Sequence, residues 1–95
     1  MVQAIENWAE LHGRLVAVQN DQSRPGHKLA SIEVRTVQTV PPYPNLLQEA
    51  TGKTIEVILP DDVARSLQLG SNLRCRARRS SPTVVYAASC LSTQE

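Results

Sequence analysis

At 95 residues, 41% of them apolar and with a formal net charge of +1, the chain can bury one modest core but not two. That composition excludes a disordered chain, and near-neutrality excludes attraction to nucleic acid or membrane by overall charge, so any such partner must be held by a local patch. The aromatic residues are Trp8, Tyr43 and Tyr86 alone, so the core has to be built from Val, Leu, Ile and Ala, and the cations are eight Arg against two Lys. Arginine is the better residue for bidentate contact with phosphate or carboxylate, although genomic base composition produces the same bias.

The opening stretch, MVQAIENWAELHGR, carries acids where a signal peptide needs an apolar run, and no later run approaches a membrane span. A cytoplasmic, soluble chain without membrane contact is therefore expected. Val2, Ile5 and Trp8 fall at helical spacing, which fits a short amphipathic turn, while an extended lead-in to the next element fits nearly as well. Leu11, Gly13, Leu15 and Ala17 then alternate with His12, Arg14, Val16 and Val18, the period of a strand starting near Glu10, with Gly13 marking a bulge or sharp bend. Asn20 to Lys28 is polar and holds a Pro-Gly turn, so it reads as a loop.

A second strand runs from about Leu29 to Val40 and loses its alternation near Val37, the sign of another bulge or of a strand end. Pro41, Pro42 and Pro44 interrupt any regular element, and Asn45 followed by LLQEA suits one helical turn with Gln48 answering Asn45. The stretch KTIEVILPDDVARSLQLGSNLRCRARR, Lys53 to Arg79, is the most legible part of the chain. Ile55, Val57 and Leu59 alternate as a strand, Pro60 ends it, and Asp61 or Asp62 caps a helix over Val63 to Leu69 that Gly70 stops. Leu73, Cys75 and Ala77 then face one way and Arg74, Arg76 and Arg78 the other. Ser80-Ser81-Pro82 makes a turn, Thr83 to Ser89 a last strand, and Leu91 to Glu95 a frayed tail, without internal repeats.

Five short strands in one domain of this size bury their apolar faces most economically as one sheet curled into a small barrel. The expected fold is mainly β, a small five-stranded barrel with a short helix between strands 3 and 4, a helix placement that resembles the OB fold and makes the barrel OB-like. Its expected core holds Leu15, Ile32, Val34, Ile55, Val57, Leu59, Leu67, Leu73 and Val84. Cys75 and Cys90 form no C-x-x-C; Cys75, on the apolar phase of its strand, reads by default as a small buried thiol, and Cys90 is expected diagonally across the final hairpin from it, where a bridge is conceivable but not expected.

The segment TIEVILPDDVARSLQLGSNLRCRARR resembles the helix followed by a glycine-led strand in single-stranded-DNA-binding OB domains. It is also similar to the second half of TOBE-type oxyanion-binding modules. The resemblance implies a ligand surface across strands 2 and 3, flanked by the loops after strands 1 and 4. The residues placed for such a surface are Arg24, Lys28, Arg35, Arg74, Arg76, Arg78 and Arg79, with Tyr43 and Trp8 as stacking candidates and Tyr86 as a core or rim tyrosine. Acids are expected to avoid this set, with Glu33 and Glu56 alone on neighbouring strands. Alternating arginine is equally what a solvated or edge-protecting face looks like.

Catalytic and metal motifs are missing. Ala50-Thr51-Gly52-Lys53-Thr54 has the tail of a phosphate-binding loop but Leu47 where its first glycine belongs. His12, His27, Cys75 and Cys90 lack the close spacing of a zinc site, and Asp61-Asp62 is accounted for by helix capping. The chain therefore reads as a non-enzyme without a cofactor. The expected partner is single-stranded DNA or RNA. The alternative is a protein-interaction or assembly subunit that meets its partner through the Pro41 to Pro44 loop and the segment around Trp8; a homo-oligomer is also open.

Overall fold

The structure, a computed structural model, describes residues 6–81 and 84–93. Its elements are β1 (Ala9–Asn20), β2 (His27–Thr39), a 3-10 turn (Gln48–Ala50), β3 (Thr54–Pro60), α1 (Asp61–Arg65), β4 (Asn72–Ser81) and β5 (Val84–Thr93). The strands close into a barrel in the order β1-β2-β3-β5-β4, with β4 returning to β1. Every pairing is antiparallel except β3 with β5, which meet in parallel at Ile58 and Tyr86. A closed barrel with one short helix between β3 and β4 is what the sequence led us to expect, and it is compatible with an OB-like fold.

The interior is aliphatic. Leu11 and Leu15 from β1, Ile32 and Val34 from β2, Val57 and Leu59 from β3, and Leu73, Cys75 and Ala77 from β4 are all buried. Leu47 and Ala50, from the 3-10 turn, and Ala64, from α1, add to the same cluster, so the two non-strand elements contribute to the core as well as connecting strands. Asn45 holds the 3-10 turn: its Oδ1 accepts the Leu47 N–H at 3.0 Å, and its Nδ2 donates to Gln48 Oε1 at 3.0 Å.

Irregularities in the ladders bend the strands around the core. Gly13 pairs with Val34 but His12 pairs with Thr36, so Arg35 is an extra residue on β2, close to where the alternation fails in the sequence. Leu15 pairs with Ile32 and Ala17 with Ser31, which makes Val16 the extra residue on β1. Gly13 is required by close approach: a Cβ there would collide with the Glu33 carbonyl oxygen and lie 3.0 Å from Ile32 Cγ2. On the last hairpin, the registers Arg76–Ser89 and Ala77–Ala87 leave Ala88 extra, and Arg79–Val85 and Ser81–Val84 leave Ser80 extra.

Several expectations are corrected. The bulge at Ser80 shifts the phase of β5, so Val85, Ala87 and Cys90 are buried while Val84 is only half-buried. Ile55 and Leu67 pack against the core without being enclosed by it. α1 ends at Arg65, short of Leu69, which is 67% exposed. Neither aspartate caps it across the first turn; Pro60 is the cap residue, and Asp62 Oδ1 accepts only the adjacent Val63 N–H at 3.0 Å. Gly70 does take the left-handed conformation, with φ +83°, but it closes the loop into β4, its N–H donating to Leu15 O at 2.8 Å.

The tail expected to fray is paired, with Leu91, Ser92 and Thr93 opposite Arg74, Leu73 and Asn72; residues 94 and 95 lie outside the described residues. So do residues 1–5, which held most of the turn expected around Trp8; Glu6 to Trp8 has no regular secondary structure. Cys75 and Cys90 are directly opposite each other, not diagonal, and they are joined as a disulfide. Among the described residues no helix is long and apolar enough to cross a membrane.

Candidate nucleic-acid interface

β4 supplies the central feature. Because Leu73, Cys75 and Ala77 point into the barrel, Arg74, Arg76 and Arg78 must point out, and all three are exposed. Alternate residues on a strand are about 6.6–6.8 Å apart, so the three arginines leave the backbone in a regular row on one face. The flanking strands set what lies beside them. Glu10 and His12 of β1 are opposite Arg76 and Arg74, and on the other side Leu91, Ser89 and Tyr86 of β5 are opposite Arg74, Arg76 and Arg78. Glu10, Arg74, Arg76, Ser89 and Leu91 line a shallow groove of about 230 Å³.

The charges of the row are not equally engaged. Arg74 Nε is 3.9 Å from Glu10 Oε1, and that same oxygen lies 2.9 Å from His12 Nε2. Arg76 makes no ion pair with any described residue. The Arg78 guanidinium stands 6.0 Å from the centroid of the Trp8 ring, a cation–π distance.

From Arg78 the row runs on to a second aromatic. Tyr86 is opposite Arg78 across the last hairpin, and its hydroxyl accepts from Arg24 Nε at 3.2 Å while the Arg24 guanidinium lies 5.8 Å from the ring centroid. Arg24 also donates to Asp21 Oδ2 at 3.0 Å from the turn after β1. The hydrogen bond to Tyr86, and then that to Asp21, raises its pKa further above the usual arginine value, so it carries its charge at any working pH. Trp8 with Arg78 and Tyr86 with Arg24 thus make two ring–guanidinium pairs at the end of the arginine row, their strands in register at Arg78 and Tyr86.

The remaining candidates lie elsewhere. Lys28 Nζ donates to Asn20 Oδ1 at 2.6 Å and sits 3.7 Å from Asp61 Oδ1 at the junction of β1, β2 and α1. Arg79 is tied to the long β2–β3 connection, donating to Leu46 O at 3.0 Å and meeting Glu49 Oε1 at 3.1 Å. Arg35, pushed out by its bulge, lines a separate depression of about 210 Å³ with His12, Thr36, Asn72 and Thr93. Tyr43 belongs to the turn at Pro41 and Pro42, its N–H donating to Val40 O at 2.9 Å.

The expectation that acids avoid the basic set is therefore wrong. Asp21, Asp61, Glu10 and Glu49 reach Arg24, Lys28, Arg74 and Arg79 respectively. Three of these acids approach from other strands or loops, a proximity that strand phase alone does not reveal. The outer face of β2 and β3 is less basic than that of β4. Exposed Glu33 and Glu56 sit there, and Gln19 Nε2 donates to Glu56 Oε2 at 3.3 Å. Sequence reasoning also passed over Tyr86, Glu10, Ser89 and Leu91 as site residues. Their signal is cross-strand register, which needs both partner strands to be placed. Comparison of the chain with family models, with curated proteins and with solved structures finds no match to any of the three.

Proposed function

We propose that this barrel is a non-enzymatic binding module that grips single-stranded nucleic acid or structured RNA along β4. Arg74, Arg76 and Arg78 hold successive phosphates, and Trp8 and Tyr86 offer ring faces to unpaired bases at one end of the row. The observation that carries the reading is the row itself, three exposed arginines on alternate positions of one strand with a single carboxylate beside them. Phosphate contacts of this kind supply affinity without sequence information, and stacking is similarly tolerant of base identity. A module with these parts binds many sequences with modest affinity. Its ligand surface lies on β4 and its neighbours, displaced from the β2–β3 face that the OB-domain resemblance implies.

The chain has one tryptophan, and it stands at the row, so the test is direct. Oligothymidylate and an unstructured RNA are titrated into the protein at low salt while Trp8 fluorescence is followed. The expected result is saturable binding of both with a change in Trp8 emission. Absence of binding to DNA or RNA of any sequence ends this reading. Binding to an acidic polypeptide in its place would assign the row to a protein partner.

A further inference from the structure

The arginine row has one anion built into it. Among the described residues, Glu10 is the carboxylate that lines the groove with Arg74 and Arg76. Its backbone is opposite Arg76, its Oε1 lies 3.9 Å from Arg74 Nε, and its side chain is about one quarter exposed. On the same outer face, two residues along β1, His12 holds that oxygen at 2.9 Å. The carboxylate is thus shared between an imidazole on its own strand and the Arg74 guanidinium of the next.

The geometry points to Glu10 as a resident anion that competes with the ligand for Arg74, at the edge of the Arg76 position, with His12 as the residue that draws it aside. This rests on the reading that the β4 row holds phosphates. In the free barrel the carboxylate stands beside the cations a phosphate would take, at a cost in binding set by how firmly it is held there. An isolated monoanion gains little by displacing it, since one weak pair replaces another. A chain of phosphates that meets Arg74, Arg76 and Arg78 together displaces it with a net gain in contacts. The built-in competitor therefore selects polyphosphate backbones over single small anions, and His12 tunes the threshold.

The two neighbours have opposite expected effects. Glu10→Gln removes the competitor and frees Arg74 for a phosphate. His12→Gln removes the group that draws the competitor aside and leaves Glu10 to the arginines. Glu56→Gln removes one negative charge from β3, outside the groove, and controls for net charge. All three are compared with the parent protein in one buffer at one pH. The probes are oligothymidylate and inorganic polyphosphate, each titrated across a salt series, with thermal melts confirming that every variant is folded.

Glu10→Gln is expected to bind two- to fivefold more tightly than Glu56→Gln, the range of one exposed ion pair, with a log–log salt slope steeper by about 0.7 for the extra contact. His12→Gln is expected to bind more weakly than the parent. Equal affinities and slopes for Glu10→Gln and Glu56→Gln overturn the inference while leaving the nucleic-acid reading in place. If polyphosphate binds with the expected ordering and oligothymidylate does not bind at all, Glu10 stands as the resident anion and the nucleic-acid reading falls. If neither probe binds, both fall.

Discussion

The buried side chain of Asn7 completes the β1–β4 ladder by bonding both backbone groups of Arg79. Its Nδ2 donates to Arg79 O at 2.9 Å, and its Oδ1 accepts the Arg79 N–H at 2.8 Å. The backbone ladder between these strands ends at Ala9 and Ala77, so the amide takes the place of the next strand residue and holds the end of β4 beside Trp8. Asn7→Ala removes two part-buried hydrogen bonds, each worth about 0.5–1.5 kcal/mol. We expect a loss of about 2 kcal/mol in urea unfolding. A change below about 0.5 kcal/mol would show that the amide is a bystander.

The Cys75–Cys90 bridge directly backs the groove. Arg74 and Arg76 flank one cysteine and Ser89 and Leu91 the other, and all four face outward while the sulfurs face in. With the cysteines 15 positions apart, chain-entropy reasoning gives about 3 kcal/mol of stabilisation. The double variant Cys75→Ala/Cys90→Ala should therefore unfold at clearly lower urea than the oxidised protein. Because both cysteines are buried, a mild reductant should open the bridge only when denaturant is present. Rapid reduction of the folded protein would contradict this placement. Structural disulfides persist in oxidising compartments, so an intact bridge in protein from its native setting would also count against the cytoplasmic location expected from the sequence.

Two glycines should fail for different reasons. Gly13→Ala drives a methyl group into the Glu33 carbonyl at the β1–β2 crossing, a collision with backbone that cannot swing away. Gly70→Ala meets open space and costs only the left-handed conformation at φ +83°, about 1 kcal/mol. Thermal melts should order the proteins as parent, Gly70→Ala, then Gly13→Ala, with a gap of several degrees between the last two. The reverse order would mean that the two strands do not approach as closely as described.

Much of the barrel was legible because alternation reports strand phase. Ile55 to Leu59, Leu73 to Ala77 and the bend at Gly13 were each readable from a few residues. β5 was misread at its start, since Val84 and Val85 are both apolar and the bulged Ser80 that decides between them leaves no mark in the pattern. The helix was overextended because Val63 and Leu67 share a helical phase even though the chain leaves the helix at Ser66. Pairing was the harder quantity. The contacts of Cys75 with Cys90, Arg24 with Tyr86, and Arg79 with Glu49 join residues 15 to 62 positions apart, and no local period encodes them. For the same reason the distribution of the seven cations was not legible: Arg74, Arg76 and Arg78 share the outer face of β4, while Arg24, Lys28 and Arg79 meet Asp21, Asp61 and Glu49 and Arg35 lines a separate depression.

That division gives the most direct test of the β4 row. Binding of oligothymidylate is measured across a salt series for the parent and for Arg76→Gln, Arg78→Gln, Lys28→Gln and Arg35→Gln. If the row carries the phosphates, Arg76→Gln and Arg78→Gln each flatten the log–log slope by about 0.7, while Lys28→Gln and Arg35→Gln leave it unchanged. Equal flattening by all four variants would show a diffuse basic surface with no row. No binding by the parent protein at low salt would remove nucleic acid as the ligand.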